Sequence, residues 1–267
     1  MSERLLLEAM IEAALEAGVA AHRIYQGGFT VQTKSDDSPV TAADHAAEEI
    51  ILRHLAQHAP GIAVVAEEQA SAGIVPVVAD EFFLVDPLDG TREFIHGRGE
   101  FTVNIALIRQ AAPLLGVVYA PATGALFAAN VAAGSAKRAT LDPEDPVAAG
   151  LQSIRVRSVP EAGVTAVASR SHRTAQTDAY LSGYRVRELV SVGSSLKFCL
   201  LAAGEADLYP RMGTTMEWDT AAGHAVLSAA GGHVLGPGGQ PLRYGKPQFR
   251  NPWFVASGAF VPQSFTA

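Results

Sequence analysis

The sequence predicts an α/β protein built from two subdomains, and three observations lead to this fold class. Two amphipathic helical segments open the chain of 267 residues, and short β-branched or aromatic runs follow them. Residues 132–147 then lose apolar periodicity and contain glycine and proline, as junctions between subdomains do. In the second half, strands and helices alternate. We therefore expect an N-terminal α+β subdomain over residues 1–145 and a C-terminal α/β subdomain over residues 146–267.

Each of the two opening helices has its own boundary signals. Apolar residues recur at spacings of three and four over Glu3–Ala21, which predicts an amphipathic helix that ends at Gly18. A second helix is predicted over Thr41–His58, because a hydroxyl cap precedes it and Pro60 follows it. Asp44 then lies in its first turn.

The remaining elements follow from shorter runs. Strands of one mixed or antiparallel sheet are predicted at Ile62–Val65, Phe82–Val85, Phe101–Ile108, Leu114–Tyr119 and Ala125–Asn130. In the second half, strands are predicted near Thr165–Ser169, Leu189–Val192 and Ala206–Tyr209. Helices are predicted near Thr174–Gly183, Ser195–Ala203 and Thr220–Ala230.

Composition narrows the functional classes. The hydrophobic fraction of 48% is enough for a large core, in one big domain or two smaller ones. The net charge is -7 and basic residues do not cluster, which argues against a nucleic-acid-binding surface. Cys199 is the only cysteine and no secretory signal or membrane-spanning run is present. We expect a soluble cytoplasmic protein. If its substrate is an anion, local cations must attract that substrate to the acidic protein.

Two carboxylates follow the apolar run Glu81–Val85 at the end of a predicted strand. Asp86 and Asp89 flank a proline and a leucine and are followed by Gly90 and Thr91. Acidic side chains at the carboxyl end of a strand point into a crevice in α/β proteins, where they can bind hard cations. A solvated turn with a local hydrogen bond would explain the same pattern.

Other acidic residues decide between these interpretations. Glu67 and Glu68 follow another apolar run, and Asp219 lies at or near the start of a helix. Taken alone, the glutamates fit an exposed loop and Asp219 fits a helix N-cap. Taken together, four acids on three segments suit two or three Mg²⁺ ions, and the amides of Gly90 and Thr91 suit an anion at the same turn.

The chain resembles the magnesium-dependent, lithium-sensitive phosphomonoesterases of the inositol monophosphatase superfamily. The resemblance rests on DPLDGT at residues 86–91, WDTAAGHAVLSAAGG at residues 218–232, the acidic pair Glu67–Glu68 and the SPVTAAD segment that ends at Asp44. Within the superfamily, the chain is most similar to the CysQ-type 3′(2′),5′-bisphosphate nucleotidases. The segments that carry this likeness are residues 192–199 and 206–211, with Ser169, Arg170, Ser171 and His172 upstream.

The resemblance implies a function for particular residues. The metal ligands would be Glu67, Asp86, the Leu88 carbonyl, Asp89 and Asp219. Thr91 and Asp44 would orient and deprotonate a metal-activated water, with Glu67 also counted among the catalytic residues. The substrate-binding residues would be Gly90, Thr91, Gly193, Ser194, Ser195, Lys197 and Arg211.

The implied reaction is removal of the 3′-phosphate of 3′-phosphoadenosine 5′-phosphate, which yields AMP and phosphate, with two to three Mg²⁺ ions as cofactors. An inositol or sugar monophosphatase on the same chemistry is the alternative, and a non-catalytic nucleotide- or metal-binding module is a distant one. The resemblance also implies a layered αβαβα sandwich and allows peripheral association with the inner membrane. We expect a monomer or a homodimer.

Two further residue types receive no catalytic role. Cys199 lies in an apolar helical run and is interpreted as a buried small hydrophobe. His45, His54 and His58 on the second helix, and His224 in the last motif, show no soft-metal pattern, so we expect surface or core roles for them. Arg170 and His172 fit either a substrate contact or a solvated loop.

Overall fold

Two long helices form the first layer of the fold. The computed structural model of the protein describes residues 1–33, 39–169 and 173–266. Helix α1 (Glu3–Gly27) is capped by Ser2, and helix α2 (Ala42–His58) begins at a capping box formed by Thr41 and Asp44. The short antiparallel strands β1 (Val31–Thr33) and β2 (Pro39–Thr41) precede α2. The second predicted helix is therefore confirmed almost to the residue.

The predicted end of the first helix at Gly18 is wrong, because α1 continues through it. Gly18 is buried, and a Cβ at this position would lie 2.4 Å from Cε1 of Tyr119. The glycine therefore lets the helix approach the neighbouring sheet closely. A small residue in the sequence marked a packing contact here and not a helix terminus.

The second layer is a large mixed sheet. In the described part of the chain it has seven strands, which pair in chain order. The first two are parallel and the others antiparallel. Its strands are β3 (Ala63–Ala66), β4 (Glu81–Asp89), β5 (Thr102–Arg109), β6 (Ala112–Ala120), β7 (Ala125–Asn130), β8 (Ser135–Thr140) and β9 (Gln152–Ser153). All five strands predicted in the first half are confirmed.

Alternation along each strand separates the two faces of this sheet. In β5, Ile105 and Leu107 pack with α1 and α2, whereas Ala106 and Ile108 face the opposite side. On that opposite side lie helices α6 (Leu196–Ala202) and α7 (Trp218–Ala229). Both faces are buried, which explains why β5 is apolar along most of its length.

A smaller sheet covers the other side of the inner helices. Within the described residues it contains five strands in the order β11-β10-β12-β16-β14, in which β10 is parallel to β11 and to β12. Helix α5 (Ala175–Leu181) packs against its outer face. The strands are β10 (Val164–Ala168), β11 (Val186–Ser191), β12 (Leu208–Arg211), β14 (His233–Leu235) and β16 (Phe254–Ser257). Helices and sheets thus alternate as an αβαβα sandwich, as the resemblance implied.

Short elements complete the described chain. Helices α3 (Glu67–Ser71) and α4 (Thr91–Ile95) follow strands of the large sheet, and β13 (Thr215–Met216) pairs with β15 (Arg250–Asn251). Two 3₁₀ turns span Pro237–Gly239 and Pro247–Phe249. None of the helices in the described ranges combines the length and the apolar character that crossing a bilayer demands.

The predicted junction over residues 132–147 contains a strand that the periodicity missed. Strand β8 lies there, and residues 137 and 138 on it are exposed lysine and arginine. Backbone pairing with β7 holds the strand, so an apolar alternation is not required. Strand β9, beyond residue 145, also pairs with β8. The division of the chain at residue 145 stays a prediction.

Close packing of the large sheet against α7 depends on the absence of a side chain at Gly116. A Cβ on Gly116 would lie 2.6 Å from the backbone oxygen of Ala222, so Gly116→Ala forces the layers apart. We expect a loss of about 1–3 kcal/mol in the free energy of unfolding, measured by urea denaturation. Gly27→Ala is the control, since nothing lies within 4 Å of a Cβ there. Equal stability of the two variants would contradict this account.

Candidate active site

The carboxylates singled out from the sequence lie at the end of β4. Side chains two apart on a strand share a face, so Asp86 points to the same side as Phe82 and Leu84, toward the inner helices. Asp86 is 1% exposed, and its Oδ1 accepts a hydrogen bond of 3.0 Å from the amide of Leu88. The ladder is irregular between Asp86 and Asp89, as at a β-bulge, which turns both carboxylates into one cleft.

The turn after Asp89 requires glycine. Gly90 has φ 95°, and a Cβ there would lie 2.9 Å from the carbonyl oxygen of Glu100. The turn starts helix α4 at Thr91, whose Oγ1 lies 3.3 Å from the Leu88 carbonyl oxygen and 3.3 Å from Asp44 Oδ1. The structure therefore brings Thr91 and Asp44 together, although they are far apart in the chain.

Asp44 is held by the capping box of α2. Its Oδ2 accepts hydrogen bonds of 2.8 Å from both the amide and the hydroxyl of Thr41, and the residue is 2% exposed. Its other oxygen faces Thr91. The cap that starts the helix thus also fixes the orientation of this carboxylate.

Glu67 begins helix α3 and lines the cleft. Its neighbour Glu68 is 6% exposed, so the two glutamates form no exposed loop. The start of α3 is held by Glu48, whose carboxylate accepts hydrogen bonds of 2.8 Å and 3.1 Å from the amides of Glu68 and Gln69. Glu48 is a site residue that the sequence patterns did not single out. Its position one turn after Asp44, on the buried side of α2, was the available signal.

Asp219 enters the cleft from the inner helix layer. Helix α7 begins at Trp218, two residues before its predicted start, and the N-cap residue is Glu217. The interpretation of Asp219 as an N-cap is therefore wrong. Its Oδ2 accepts a hydrogen bond of 2.8 Å from the Met216 amide, and its carbonyl oxygen accepts one of 2.8 Å from the Ser195 hydroxyl.

These acids repel one another. Burial raises the pKa of Asp86 well above its usual value, and the charges of Glu67, Asp89 and Asp219 add to the increase. Burial likewise raises the pKa of Asp219, with Asp89 as its strongest charged neighbour. The pKa of Asp89 rises to about 6 through burial, against the opposing effect of the Lys197 charge. The Glu67 side chain beside Asp86 acts on the pKa of Asp86 in the same direction as burial.

The polar residues beside the acids indicate a fit to a hydrated cation. Asn104 and Thr102 on β5 lie opposite Asp86 and Asp89 and share their face of the sheet. Both are buried, and among the described residues the Asn104 amide and the Thr102 hydroxyl have no hydrogen-bond partner. Carboxylates, carbonyls and waters are the ligands of magnesium. The donor set in the cleft therefore fits Mg²⁺.

The loop predicted to bind substrate lies beside the Gly90 turn, and Gly193, Ser194 and Lys197 line the same cleft. Gly193 donates its amide to Glu100 Oε2 at 2.9 Å, and Ser194 adopts a left-handed φ of 47°. Lys197 is 5% exposed and turns inward. Its Nζ donates to the carbonyl oxygens of Ser194 at 2.6 Å and Val192 at 3.3 Å. The loop is thus shaped by Lys197, whose burial lowers its pKa to about 8.

Arg211 approaches the same cleft from strand β12. It is 9% exposed, and Nη2 donates to the Thr214 carbonyl oxygen at 3.1 Å. Among the described residues, Nε has no hydrogen-bond partner. The cleft has a volume of about 790 Å³, and Val75, Trp218 and Phe249 add apolar surface to its walls. Of the other sequence candidates, Ser169 lines the cleft, whereas Ser38, Arg170, Ser171 and His172 lie outside the described residues.

Comparison with known proteins agrees with this arrangement. The model of the inositol monophosphatase family matches residues 3–257. The 3′(2′),5′-bisphosphate nucleotidase CysQ of Shigella flexneri is 45% identical over 94% of this chain and 99% of its own length. CysQ of Escherichia coli K12 is 44% identical with the same coverage.

Solved structures are similar along nearly the whole chain. CysQ from Bacteroides thetaiotaomicron has a TM-score of 0.81 and 38% identity, covering 97% of this chain and 98% of its own. An inositol monophosphatase from Anabaena has a TM-score of 0.74 and 26% identity, covering 96% of this chain and 92% of its own. Fold, cleft and similarity define an α/β phosphatase. The chain belongs to the inositol monophosphatase family.

The close spacing of the acids is expected to lower the free energy of unfolding when chelator removes divalent cations. A raised pKa means that the folded state holds its proton more tightly than the unfolded chain, so ionised Asp86 destabilises the fold above that pKa. At about pH 8, in chelator, Asp86→Asn is expected to increase the free energy of unfolding by about 1–3 kcal/mol. Urea titration measures this increase, which should shrink at acidic pH. Exposed Asp145→Asn is the control, and an equal response of both variants would contradict the prediction.

Proposed function

We propose that this phosphatase removes the 3′-phosphate of a 3′(2′),5′-bisphosphate nucleotide, such as 3′-phosphoadenosine 5′-phosphate, in a Mg²⁺-dependent hydrolysis. The observation that carries the proposal is a cationic side chain, Arg211, in the same cleft as the acids. The acidic centre suits the scissile phosphate with its cations, and the guanidinium of Arg211 places a positive charge at the cleft wall for a second phosphate. The CysQ relatives carry the corresponding activity in their names.

The residues that would hold Mg²⁺ are Glu67, Asp86, Asp89 and Asp219, together with the carbonyl oxygen of Leu88. Two to three ions suit this number of acids. When bound, Mg²⁺ would neutralise phosphate oxygens and lower the pKa of the attacking water. Asp86, whose pKa is raised by burial and by the neighbouring acids, would be held in its ionised form in such a site.

Thr91 and Asp44 would orient that water and accept its proton. The Thr91 hydroxyl donates to Asp44 Oδ1, so its lone pairs are available to accept a hydrogen bond from water. As the water oxygen attacks phosphorus, one water proton would pass to Thr91 while the Thr91 hydroxyl proton passes to Asp44. The P–O ester bond breaks, and the leaving 3′-oxygen would take a proton from solvent water. The hydrogen bonds from Thr41 hold Asp44 in the geometry that this transfer needs.

The substrate would lie in the cleft over the acidic centre, with the loop over residues 193–197 beside it. The amides of Gly90 and Thr91 would bind the scissile phosphate, and Arg211 would bind the second phosphate, with Ser194 and Ser195 near the sugar. The positive charge of Lys197 would attract the substrate phosphates without direct contact. Its hydrogen bonds to the Val192 and Ser194 carbonyl oxygens would fix the conformation of the loop. The apolar walls near Trp218 and Phe249 suit a nucleobase.

Hydrolysis of an inositol or sugar monophosphate is the alternative. The similarity to the Anabaena inositol monophosphatase favours it. Steady-state kinetics in saturating Mg²⁺ distinguish the two. We expect kcat/KM for 3′-phosphoadenosine 5′-phosphate to exceed that for inositol 1-phosphate by at least about tenfold, since only the nucleotide uses Arg211. A higher kcat/KM for inositol 1-phosphate would replace the proposal by its alternative.

The metal-binding assignment has its own test. Asp89→Asn removes a charged ligand and is expected to lower kcat for phosphate release by at least about 10³-fold, equivalent to about 4 kcal/mol. Asp80→Asn makes the same change at an exposed residue just before β4 and should retain full activity. Wild-type rates in Asp89→Asn, with Mg²⁺ binding measured by calorimetry also intact, would remove Asp89 from the site.

A further inference from the structure

A second cluster of metal-ligating side chains lies on the outer helix layer. Glu12 of α1 and His54 and His58 of α2 place ligand atoms within 4.8 Å of one another. His54 is ten residues along α2 from Asp44, which corresponds to about 15 Å of helix, and His58 is farther. This outer cluster is therefore separate from the acidic cleft.

Helix geometry explains two of the three ligands. His54 and His58 are four residues apart and share one face of α2, with ring centroids 6.2 Å apart and planes inclined by 19°. Packing of α1 against α2 supplies the third. Glu12 is exposed, so its carboxylate can adjust, whereas both histidines are partly buried.

The hydrogen bonds of His54 leave one ring nitrogen available. Its Nε2 lies 2.6 Å from Glu16 Oε2, and the pKa of Glu16 is lowered by this bond and by Arg53. An ionised carboxylate only accepts hydrogen bonds, so Nε2 carries the hydrogen. In the neutral ring the lone pair is then on Nδ1, which is buried and has no partner within the described residues.

We propose that Glu12, His54 and His58 form a binding site for one divalent transition-metal ion of the Zn²⁺ type. Two imidazoles and a carboxylate with one open position suit Zn²⁺, whereas Mg²⁺ prefers oxygen ligands. Glu16 would orient His54 from behind, as carboxylates do for metal-bound histidines. Ligand atoms of a tetrahedral site lie about 3.3 Å apart, so the side chains of Glu12, His54 and His58 would move closer together around the ion.

The expected consequence is a cross-link between α1 and α2. The ion would tie together the two helices that cover the large sheet, and α2 carries Asp44 and Glu48 at its other end. Binding to the folded state alone would raise the melting temperature in proportion to the logarithm of the free metal concentration. The sequence analysis assigned no metal to these histidines, because Glu12 is distant in the chain.

Zn²⁺ titration by calorimetry tests the proposal, with saturating Mg²⁺ present to occupy the cleft. We expect one Zn²⁺ per wild-type chain and at least about 100-fold weaker binding in His58→Ala, which loses one of three ligands. His45→Ala is the matched control, since it removes an exposed histidine from the same helix. Unchanged Zn²⁺ affinity in His58→Ala would overturn the proposal.

Two more variants keep the outcome interpretable. Glu16→Gln preserves all three ligands and should weaken Zn²⁺ binding by about 10–100-fold. Asp89→Asn alters only the cleft and should leave this Zn²⁺ affinity unchanged. Co²⁺ absorption in the visible range reports the histidine ligands directly, and Mg²⁺-dependent phosphatase activity confirms that His58→Ala is folded. Loss of the Zn²⁺ event in Asp89→Asn would assign it to the cleft and overturn the proposal.

Discussion

Electrostatic repulsion among the acids of the cleft is the constraint on which the rest of this structure depends. Asp86, Asp89, Asp219 and Glu67 come from the large sheet, the inner helix layer and a short helix, and they crowd into one cleft. Burial and the neighbouring charges raise the pKa values of Asp86 and Asp219. The packing of the αβαβα layers must offset the unfavourable free energy of this repulsion, and a bound cation would reduce the repulsion.

The backbone around the cleft is arranged to keep these acids in place. The ladder irregularity in β4 turns Asp86 and Asp89 to one side, and Gly90 allows the following turn to pass close to the Glu100 carbonyl. Glu48 holds the start of α3, and the capping box of α2 orients Asp44. Ordinary devices of helix and strand ends therefore also position the polar side chains of the site.

Several features could be predicted from the sequence because they depend on local patterns. The boundaries of α2 follow from a hydroxyl cap and a proline, and the central strands follow from runs that are buried on both faces. Predictions from local patterns were wrong where the conformation of a residue is set by contacts with residues distant in the chain. Gly18 faces Tyr119 instead of ending a helix, and β8 is held by pairing with β7 and not by apolar alternation.

The sequence by itself determined the order of the elements, the family resemblance and the identity of the acids at the end of β4, since these are properties of contiguous segments. Only the tertiary structure decided that Thr91 meets Asp44, that Asn104 lies beside Asp86 and that Lys197 turns inward to backbone carbonyls. It also brought Glu12 to His54 and His58. The physical reason is that each of these contacts joins segments whose distance in space is set by packing between layers or by folding of a loop, and neither leaves a periodic signal in the chain.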